Sequence, residues 1–320
     1  MSPGARLSGV IDPVRLRRAL AMRGITVAAA PVEAGAGRAD AAEVRPAELI
    51  EGERLEWRPV GPPEPWPGPV GFLDGVQHVE VVGYAGAAPL FAATLAAAVR
   101  ERRERRLATV VVERRSLVLG RPAALAAAGD ALDDVATLAL PEEGAGHPAR
   151  DADQAARALD RARGELEVAV GARYRARSDA WLVVDGSLTE SPAFAGDPRM
   201  VGVVKSHGTL PFAGEALERY LRLPSGHRSS LFRPETRRVA PVHAWALRLR
   251  PWEGKDLFYG LVRVEVAPVT GTPEAADRIS RWLLAERAPL STPDPRWDRL
   301  LYGVHAVERY LRVRSVSGER

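Results

Sequence analysis

The chain has 320 residues, of which 46% are hydrophobic, enough for one large globular domain with an appendage or for two domains. It contains no cysteine, so disulfides and thiolate metal sites are excluded, and a bound metal would need carboxylate, imidazole or carbonyl ligands, which suit Mg²⁺ or Mn²⁺. The net charge of +4 and the pI of about 9.7 favour polyanionic partners without identifying one.

The N-terminal part predicts an extension rather than a core. Asp12 and Pro13 suit the N-cap and first turn of a helix over residues 12–23. The prolines and glycines of Arg58–Gly71 cannot continue a helix or a central strand. We therefore predict a helical and irregular extension with a Pro/Gly-rich linker over residues 1–68, and a larger domain over residues 69–320.

The first part of this domain predicts β-structure. Gly71–Gly86 is typical of two strands joined by a tight turn at Asp74-Gly75. Residues 87–106 fit a helix as well as a strand, and Thr109–Glu113 predicts a strand. The run Arg100–Arg106 has two interpretations, a solvated charged face and a contact with DNA.

The second part alternates helices and strands. Residues 121–150 predict a helix followed by a loop, and an apolar stripe predicts a long helix over residues 151–176. Apolar runs predict strands at Trp181–Gly186, Met200–Ser206, Val239–Leu249 and Leu257–Ala267. Helices are predicted near residues 273–287, with Thr272 as the cap, and near residues 297–312.

No segment predicts a secretory signal or a membrane span. Residues 5–18 are charged where the apolar core of a signal would lie. The longest uncharged run, Val81–Val99, contains glycine and proline and predicts buried core. We expect a cytoplasmic protein without a membrane partner.

Two aspartates, Asp74 and Asp185, each follow an apolar run and precede a glycine. A carboxylate at the end of a buried strand is unfavourable unless a cation compensates its charge, and a divalent metal is one such cation. The alternative is that each Asp-Gly pair forms a plain turn in which the aspartate bonds its own backbone.

The long helix between these aspartates offers a third carboxylate. Glu165 and Glu167 flank the apolar stripe at Leu166, and either side chain could reach toward the two aspartates. We favour Glu167 and keep Glu165 as the alternative. Glu113, at the end of a predicted strand, is a weaker candidate for the same role.

The C-terminal helix supplies an imidazole. Trp297, Leu301 and His305 are spaced four residues apart, and Tyr302 lies three residues before His305, so these side chains share one face. Neutral histidine is a common metal ligand. The alternative is a core face that contains one hydrogen-bonded histidine.

Only two of the 45 basic residues are lysines, Lys205 and Lys255. Lys205 follows a predicted strand, where its compact charge could hold a phosphate near the carboxylates. Lys255 lies in a predicted hairpin turn and is expected to be solvated. His207 and Arg228 are candidate secondary phosphate contacts.

Several nucleotide-binding and hydrolase classes are excluded by their motifs. The chain has no Walker A sequence, no GxGxxG after a strand, no GxSxG and no HExxH. This argues against a self-contained ATPase, a Rossmann enzyme, an α/β-hydrolase and a zincin.

An ordered set of segments resembles the NurA nuclease family. Each segment is weak alone, but together they cover about residues 70–310: FLDG (72–75), ELEVAVGARY (165–174), WLVVDGSL (181–188), VGVVKSHG (201–208), SGHRSSLF (225–232), HAWALRL (243–249), GLVRVEV (260–266) and YGVHAVE (302–308).

The resemblance implies an α/β fold with an RNase H-like mixed sheet flanked by helices. It also implies a Mn²⁺- or Mg²⁺-dependent DNA nuclease, a single-strand endonuclease and 5′–3′ exonuclease, that processes ends in double-strand break repair. By the resemblance, the chain forms a homodimer and works with a HerA-like hexameric ATPase.

The family's site residues are carried over by their motifs. The resemblance places metal ligands at Asp74, Glu167, Asp185 and His305, which would serve two-metal phosphodiester hydrolysis. Lys205 would neutralise charge on the phosphoryl oxygens.

The chain also departs from the family pattern. A family tyrosine would fall on Trp297, so its role either passes to Tyr302, to which we assign it, or is absent. Val76 stands where a serine is expected, and residues 115–150 have no counterpart in the family pattern. Two alternatives stay open: a non-catalytic DNA-end-binding adaptor of a motor ATPase, and a different RNase H-like hydrolase such as a resolvase or an RNA-cutting enzyme.

Overall fold

The computed structural model describes residues 11–25, 27, 43–142, 146–235, 240–253, 257–287 and 297–316. Lys255 and Val239, the first residue of a predicted strand, lie outside the described residues.

The helices of the described residues are α1 (Pro13–Met22), α2 (Pro122–Ala128), α3 (Pro148–Arg175), α4 (Pro192–Gly196), α5 (Gly214–Leu221), α6 (Pro273–Ala285) and α7 (Tyr302–Val316). The strands are β1 (Glu43–Val44), β2 (Glu48–Leu49), β3 (Trp57–Pro59), β4 (Val70–Ala85), β5 (Ala88–Arg103), β6 (Arg106–Gly120), β7 (Ala136–Ala139), β8 (Trp181–Asp185), β9 (Met200–Val204), β10 (Thr209–Leu210), β11 (His227–Ser229), β12 (Phe232–Arg233), β13 (His243–Arg248) and β14 (Leu261–Val266).

One mixed sheet forms the centre of the described structure. Its strands follow the order β2-β12-β13-β14-β9-β8-β4-β5-β6-β7, and β11 and β3 attach beside β13. The long strands β4, β5 and β6 form an antiparallel meander, and β8 and β9 run parallel to β4. The predicted α/β fold, a mixed sheet flanked by helices, is therefore confirmed.

Helices cover both faces of β4. On one face, Leu73 packs in a buried cluster with Leu166 and Val170 of α3. On the other face, Phe72 packs with apolar residues of α7. Gly303 brings the α7 backbone close, because a side chain at this position would collide with the Phe72 ring. The centre of β4 thus lies between α3 and α7.

The structure corrects the turn predicted at Asp74-Gly75. β4 runs without interruption through both residues, which pair with Ala98 and Ala97 of β5. An Asp-Gly pair favours a turn locally, but here the pairing of both residues with β5 keeps the chain extended, and β8 pairs with the residues just before them, up to Leu73.

Two further predictions are resolved in the same region. Residues 88–103, which fitted helix and strand equally, form strand β5. The loop predicted before residue 150 contains the short strand β7, which pairs in parallel with Leu117–Gly120 of β6. The predicted long helix, the two predicted strands after it and the helix capped by Thr272 are confirmed as α3, β8, β9 and α6.

Where the structure describes it, the N-terminal extension contributes one helix and three short strands. Asp12 caps α1 as predicted, by accepting a hydrogen bond from the Val14 N–H at 2.9 Å. Strands β2 and β3 pair with β12 and β11, so residues of the extension join the central sheet. The domain boundary at residue 68 stays a prediction.

A cluster of three tryptophans packs part of the Pro/Gly-rich segment onto the sheet. Trp66 is buried, and its ring centroid lies 4.7 Å from that of Trp282 in α6 and 6.0 Å from that of Trp181 in β8. The predicted linker therefore contains a core residue.

Every helix in the described part of the chain is too short or too polar to cross a membrane.

Candidate functional site

Asp74 and Asp185 lie on neighbouring parallel strands. The register pairs Leu73 of β4 with Val184 of β8, and the next residue on each strand is one of the two aspartates. In-register residues of parallel strands point to the same face of a sheet. Phe72 points to the α7 side, so alternation along β4 directs Asp74 to that side, and Asp185 accompanies it.

Lys205 reaches this pair from the next strand. Val203 of β9 pairs with Asp185, so Lys205 lies two residues further along the same face. Its Nζ lies 2.7 Å from Asp185 Oδ1. The structure therefore brings together three predicted residues: Asp74 within β4, Asp185 at the end of β8 and Lys205 directly after β9.

Glu167 approaches Asp74 from α3, through the space left by Gly75. A Cβ on Gly75 would lie 2.8 Å from Glu167 Cγ, closer than real Cβ contacts allow. Glu113, by contrast, is held by Arg115 and Arg173, and Glu165 faces a cavity lined by β6 and β7. Of the three glutamates considered, the structure thus places Glu167 beside the aspartates.

His305 lies on α7, which covers the Asp74 side of the sheet. Its Nδ1 is buried and has no hydrogen-bond partner among the described residues. Glu308, one turn further along the helix, has its Oε2 4.0 Å from this nitrogen. The end of α7 that faces the sheet therefore carries both an imidazole and a carboxylate.

Tyr302 begins α7 and is 55% exposed. The hydroxyl of this residue is therefore open to solvent rather than buried among the carboxylates. Trp297 lies in a short 3₁₀ turn before α7, and its side chain is outside the described part of the structure.

The pKa values of Asp74 and Glu167 are both raised. Burial raises the pKa of Asp74 well above its ordinary value, and the charges of Asp185, Glu167 and Glu308 add to this, although Lys205 opposes it. Burial also raises the pKa of Glu167, with a further contribution from Asp185 and an opposing one from Arg163. Each shift reports negative charge in a confined, poorly hydrated space.

Cations compensate three of these four acids. Glu167 is paired with Arg163, Asp185 with Lys205, and Glu308 with Arg312. Asp74 is only 7% exposed, and its carboxylate accepts a hydrogen bond from the Gly75 N–H at 2.8 Å. Among the described residues, Asp74 is therefore the acid of this group without an ion pair.

The chemistry of these donors fits a divalent metal. Carboxylate oxygens and a neutral imidazole are ligands of Mg²⁺ and Mn²⁺, and such an ion would compensate Asp74. As the side chains stand, no three acids or histidines in the described ranges are arranged to hold an ion. Arg163 and Lys205 are paired with the carboxylates of Glu167 and Asp185. These two ion pairs would have to separate before the carboxylates could bind a metal ion.

Two predicted phosphate contacts are wrong. Arg228 is 1% exposed, and its guanidinium donates to Glu51 Oε2 at 2.6 Å and to Asp277 Oδ1 at 2.5 Å. Burial lowers the pKa of His207 to about 4, so this ring is neutral near pH 7, and it is stacked on Phe258. Neither residue is placed to receive a phosphate.

Sequence reasoning missed three residues around the site. Arg163 and Glu308 lie one helical turn from predicted residues, four before Glu167 and three after His305, and this spacing is a usable signal. Glu265 of β14 accepts hydrogen bonds from Ser187 Oγ at 2.8 Å and from the Leu188 N–H at 3.0 Å, which hold the segment after Asp185. Its partners lie 78 and 77 residues earlier in the chain, so no local sequence pattern identifies Glu265.

The arginine-rich run lies at the tip of the β5–β6 hairpin and mainly secures neighbouring elements. Arg100 donates to the Ala306 carbonyl of α7 at 3.2 Å, and Arg102 donates to Glu286 Oε2 at 2.9 Å. Arg103 is paired with Glu101. These contacts tie α7 and the end of α6 to the sheet.

The architecture is similar to that of a known nuclease structure. The chain matches the crystal structure of the NurA nuclease from Sulfolobus solfataricus with a TM-score of 0.50 and 9% sequence identity, over 82% of this chain and 86% of that chain. The fold is that of a NurA nuclease. No family model and no curated protein matches the sequence. The NurA fold expected from the ordered segments is thus confirmed by the structure.

Proposed function

We propose that this chain is a metal-dependent deoxyribonuclease that uses Mn²⁺ or Mg²⁺ to hydrolyse phosphodiester bonds. The observation that carries the proposal is Asp74, a buried acid beside Asp185, Glu167 and Glu308 whose own charge lacks an ion pair among the described residues. A buried charge of this kind is unfavourable unless a cation is bound beside it. The NurA fold agrees with a nuclease.

Asp74, Glu167, Asp185 and His305 would hold the metal. A bound divalent ion lowers the pKa of the attacking water and stabilises negative charge on the phosphoryl group. Lys205 would turn from Asp185 toward the phosphoryl oxygens and neutralise charge there. The exposed hydroxyl of Tyr302 would donate a hydrogen bond to a substrate phosphate.

DNA is the proposed substrate, as single strands or duplex ends, with single-strand endonuclease and 5′–3′ exonuclease activity in double-strand break repair. The net charge of +4 supports a polyanionic ligand. We also propose that the chain forms a homodimer and works with a HerA-like hexameric ATPase, both by its resemblance to NurA nucleases.

The test is cleavage of end-labelled single-stranded DNA with Mn²⁺, with Mg²⁺ and with EDTA. We expect cleavage that needs the metal and is lost in Asp74→Asn and Asp185→Asn. The matched control is Asp153→Asn, an exposed aspartate of α3, which should cut at the wild-type rate. If Asp185→Asn cut DNA like the wild type, the proposed site would be wrong. Competition with RNA would separate a deoxyribonuclease from an RNA-cutting enzyme of similar fold.

A second candidate is a non-catalytic DNA-end-binding adaptor of a motor ATPase. The pairing of Glu167 with Arg163 and of Asp185 with Lys205 supports it, because an inactive site would keep its acids compensated in this way. Binding of DNA without cleavage by the wild type under every metal condition, and with the motor present, would favour this candidate.

A further inference from the structure

Three side chains of α7 form a series along one face of the helix. The guanidinium of Arg312 donates to Glu308 Oε1, from Nη2 at 2.8 Å and from Nε at 3.2 Å. Glu308 Oε2 then lies 4.0 Å from His305 Nδ1. The spacing of three and four residues puts all three on the same side of the helix. Arg312 therefore orients the Glu308 carboxylate with Oε2 as the oxygen nearer His305.

The Nδ1 atom of the His305 ring is buried and lacks a hydrogen-bond partner among the described residues. Buried ring nitrogens are usually hydrogen-bonded, and Glu308 Oε2 is an acceptor within a small side-chain rotation of it. Glu308 is itself buried, at 9% exposure, so water does not weaken an interaction formed there.

Glu308 also lies within electrostatic range of the sheet carboxylates, since its charge contributes to the raised pKa of Asp74. Histidines that bind a metal through one ring nitrogen commonly donate the other N–H to a carboxylate, which fixes the tautomer and the ring orientation. The position of Glu308 behind His305 corresponds to that partner.

We propose that Glu308 is a positioning residue that accepts a hydrogen bond from His305 Nδ1–H and so leaves Nε2 as the atom that binds the metal. The inference rests on the proposed function for the metal, but the proposed hydrogen bond needs only residues of this chain. Arg312 supports it by holding the other carboxylate oxygen.

The hydrogen bond is tested on the metal-free protein. Long-range ¹H–¹⁵N correlation spectra of uniformly ¹⁵N-labelled protein, recorded near pH 8 with His305→Asn to assign the ring, report which nitrogen carries the proton. We expect the Nδ1–H tautomer in the wild type and in Glu308→Gln, whose amide oxygen can still accept. We expect a shift toward Nε2–H in Glu308→Ala. A wild-type ring in the Nε2–H form, or no change in Glu308→Ala, overturns the proposal.

The consequence for the metal is tested by titrating each variant with Mn²⁺ and measuring the free ion by electron paramagnetic resonance. We expect Glu308→Ala to weaken the affinity about 10–100-fold, as losses of such partners commonly do, and Glu308→Gln to weaken it less. The matched control is Glu218→Gln, an exposed glutamate of α5 that is paired with Arg222 at the same four-residue spacing, and its affinity should not change. Wild-type affinity in a folded Glu308→Ala protein overturns the proposal.

The two proposals can fail separately. If Glu308→Ala does not fold, Glu308→Gln and Glu308→Asp carry the test, since both keep an acceptor oxygen. A wild-type protein that binds no Mn²⁺ and cuts no DNA contradicts the proposed function, and the tautomer spectra then still decide whether Glu308 holds His305.

Discussion

The carboxylate of Glu167 fills the space beside β4 that a side chain at position 75 would take, and Gly75 leaves that space open. Any Cβ at Gly75 would lie 2.9 Å from Glu167 Cδ. The backbone of β4 passes through Gly75 as ordinary strand, paired with Ala97, so the glycine is not required there by a turn. The glycine instead makes room for an acid from the opposite helix.

The first prediction concerns this fit. Gly75→Ala should push the Glu167 carboxylate away from Asp74, because the flexible end of a side chain moves more easily than the strand does. We expect Mn²⁺ affinity and DNA cleavage to fall about 10–100-fold, with a thermal unfolding midpoint close to the wild type. Titration with Mn²⁺ and calorimetry measure the two effects.

Gly164→Ala is the matched control, since Gly164 lies on α3 with open space around the added methyl group. It should leave cleavage unchanged and stabilise the helix by about 0.5–1 kcal/mol. In the double variant Gly75→Ala/Glu167→Ala, the two losses should not add, because both remove the same carboxylate. Full additivity would mean that Gly75 acts in some other way.

The second prediction separates the two neighbouring glutamates of α3. Glu167→Gln should lower cleavage about 10–100-fold by removing a ligand charge, whereas Glu165→Gln should cut at the wild-type rate, since Glu165 lines a cavity beside β7. Initial rates on end-labelled single-stranded DNA decide between them. Equal loss in both variants would contradict the placement of the third carboxylate.

The third prediction concerns pH in the absence of metal. Because burial and the neighbouring carboxylates raise the pKa of Asp74, the folded state binds its proton more tightly than the unfolded state does. The free energy of unfolding should therefore fall as pH rises from about 4, the pKa of an unfolded aspartate, through the raised pKa. Urea unfolding in EDTA across this range measures it.

Asp74→Asn removes this cost. At pH 7 it should stabilise the metal-free protein by about 1–3 kcal/mol and make the pH profile flatter, although the raised pKa of Glu167 keeps a slope of the same sign. A less stable Asp74→Asn protein in EDTA would show that the charge of Asp74 is already compensated.

The fourth prediction concerns Lys205. Lys205→Met should lower kcat about 10²–10³-fold, the size typical of losing one group that stabilises transition-state charge, and should change KM less. Lys205→Arg should restore little, since the planar guanidinium does not replace a compact ammonium 2.7 Å from Asp185. Steady-state rates under saturating Mn²⁺ separate kcat from KM, and a rise in KM alone would assign Lys205 to DNA binding.

The fifth prediction concerns the buried pair that joins the extension to the sheet. Arg228→Met leaves Glu51 buried without its main partner and should cost about 3–5 kcal/mol in the free energy of unfolding. Glu51→Gln/Arg228→Met should recover part of the loss, and both folded variants should keep the wild-type cleavage rate. A selective loss of DNA cleavage in a stable Arg228→Met protein would return this arginine to the phosphate contacts.

Local patterns were enough to predict much of this fold. α3, β8, β9 and α6 each carry their own periodicity or capping residues, so the sequence states their type within one segment. A local pattern also identified Asp74 and Asp185 as candidate acids, because both lie in apolar runs, and these runs form the two parallel strands.

Long-range partners explain what the sequence did not reveal. Asp74-Gly75 has the composition of a turn, and only the distant Glu167 accounts for its glycine. The burial of Arg228 depends on Glu51, 177 residues earlier, so a surface role looked equally reasonable. β7 is short and contains two alanines, which weakens any strand signal.

The tryptophan cluster joins the Pro/Gly-rich segment to the strand that carries Asp185. Trp181 is the first residue of β8 and Asp185 is the last. Trp66 therefore packs against the start of the strand that ends at a candidate metal ligand. β8 is hydrogen-bonded to β4 on one side and to β9 on the other, so we expect it to move as a rigid unit when Trp181 is displaced. We therefore expect substitutions in the Pro/Gly-rich segment that displace Trp66 to change the spacing of Asp74 and Asp185, although neither aspartate is itself altered.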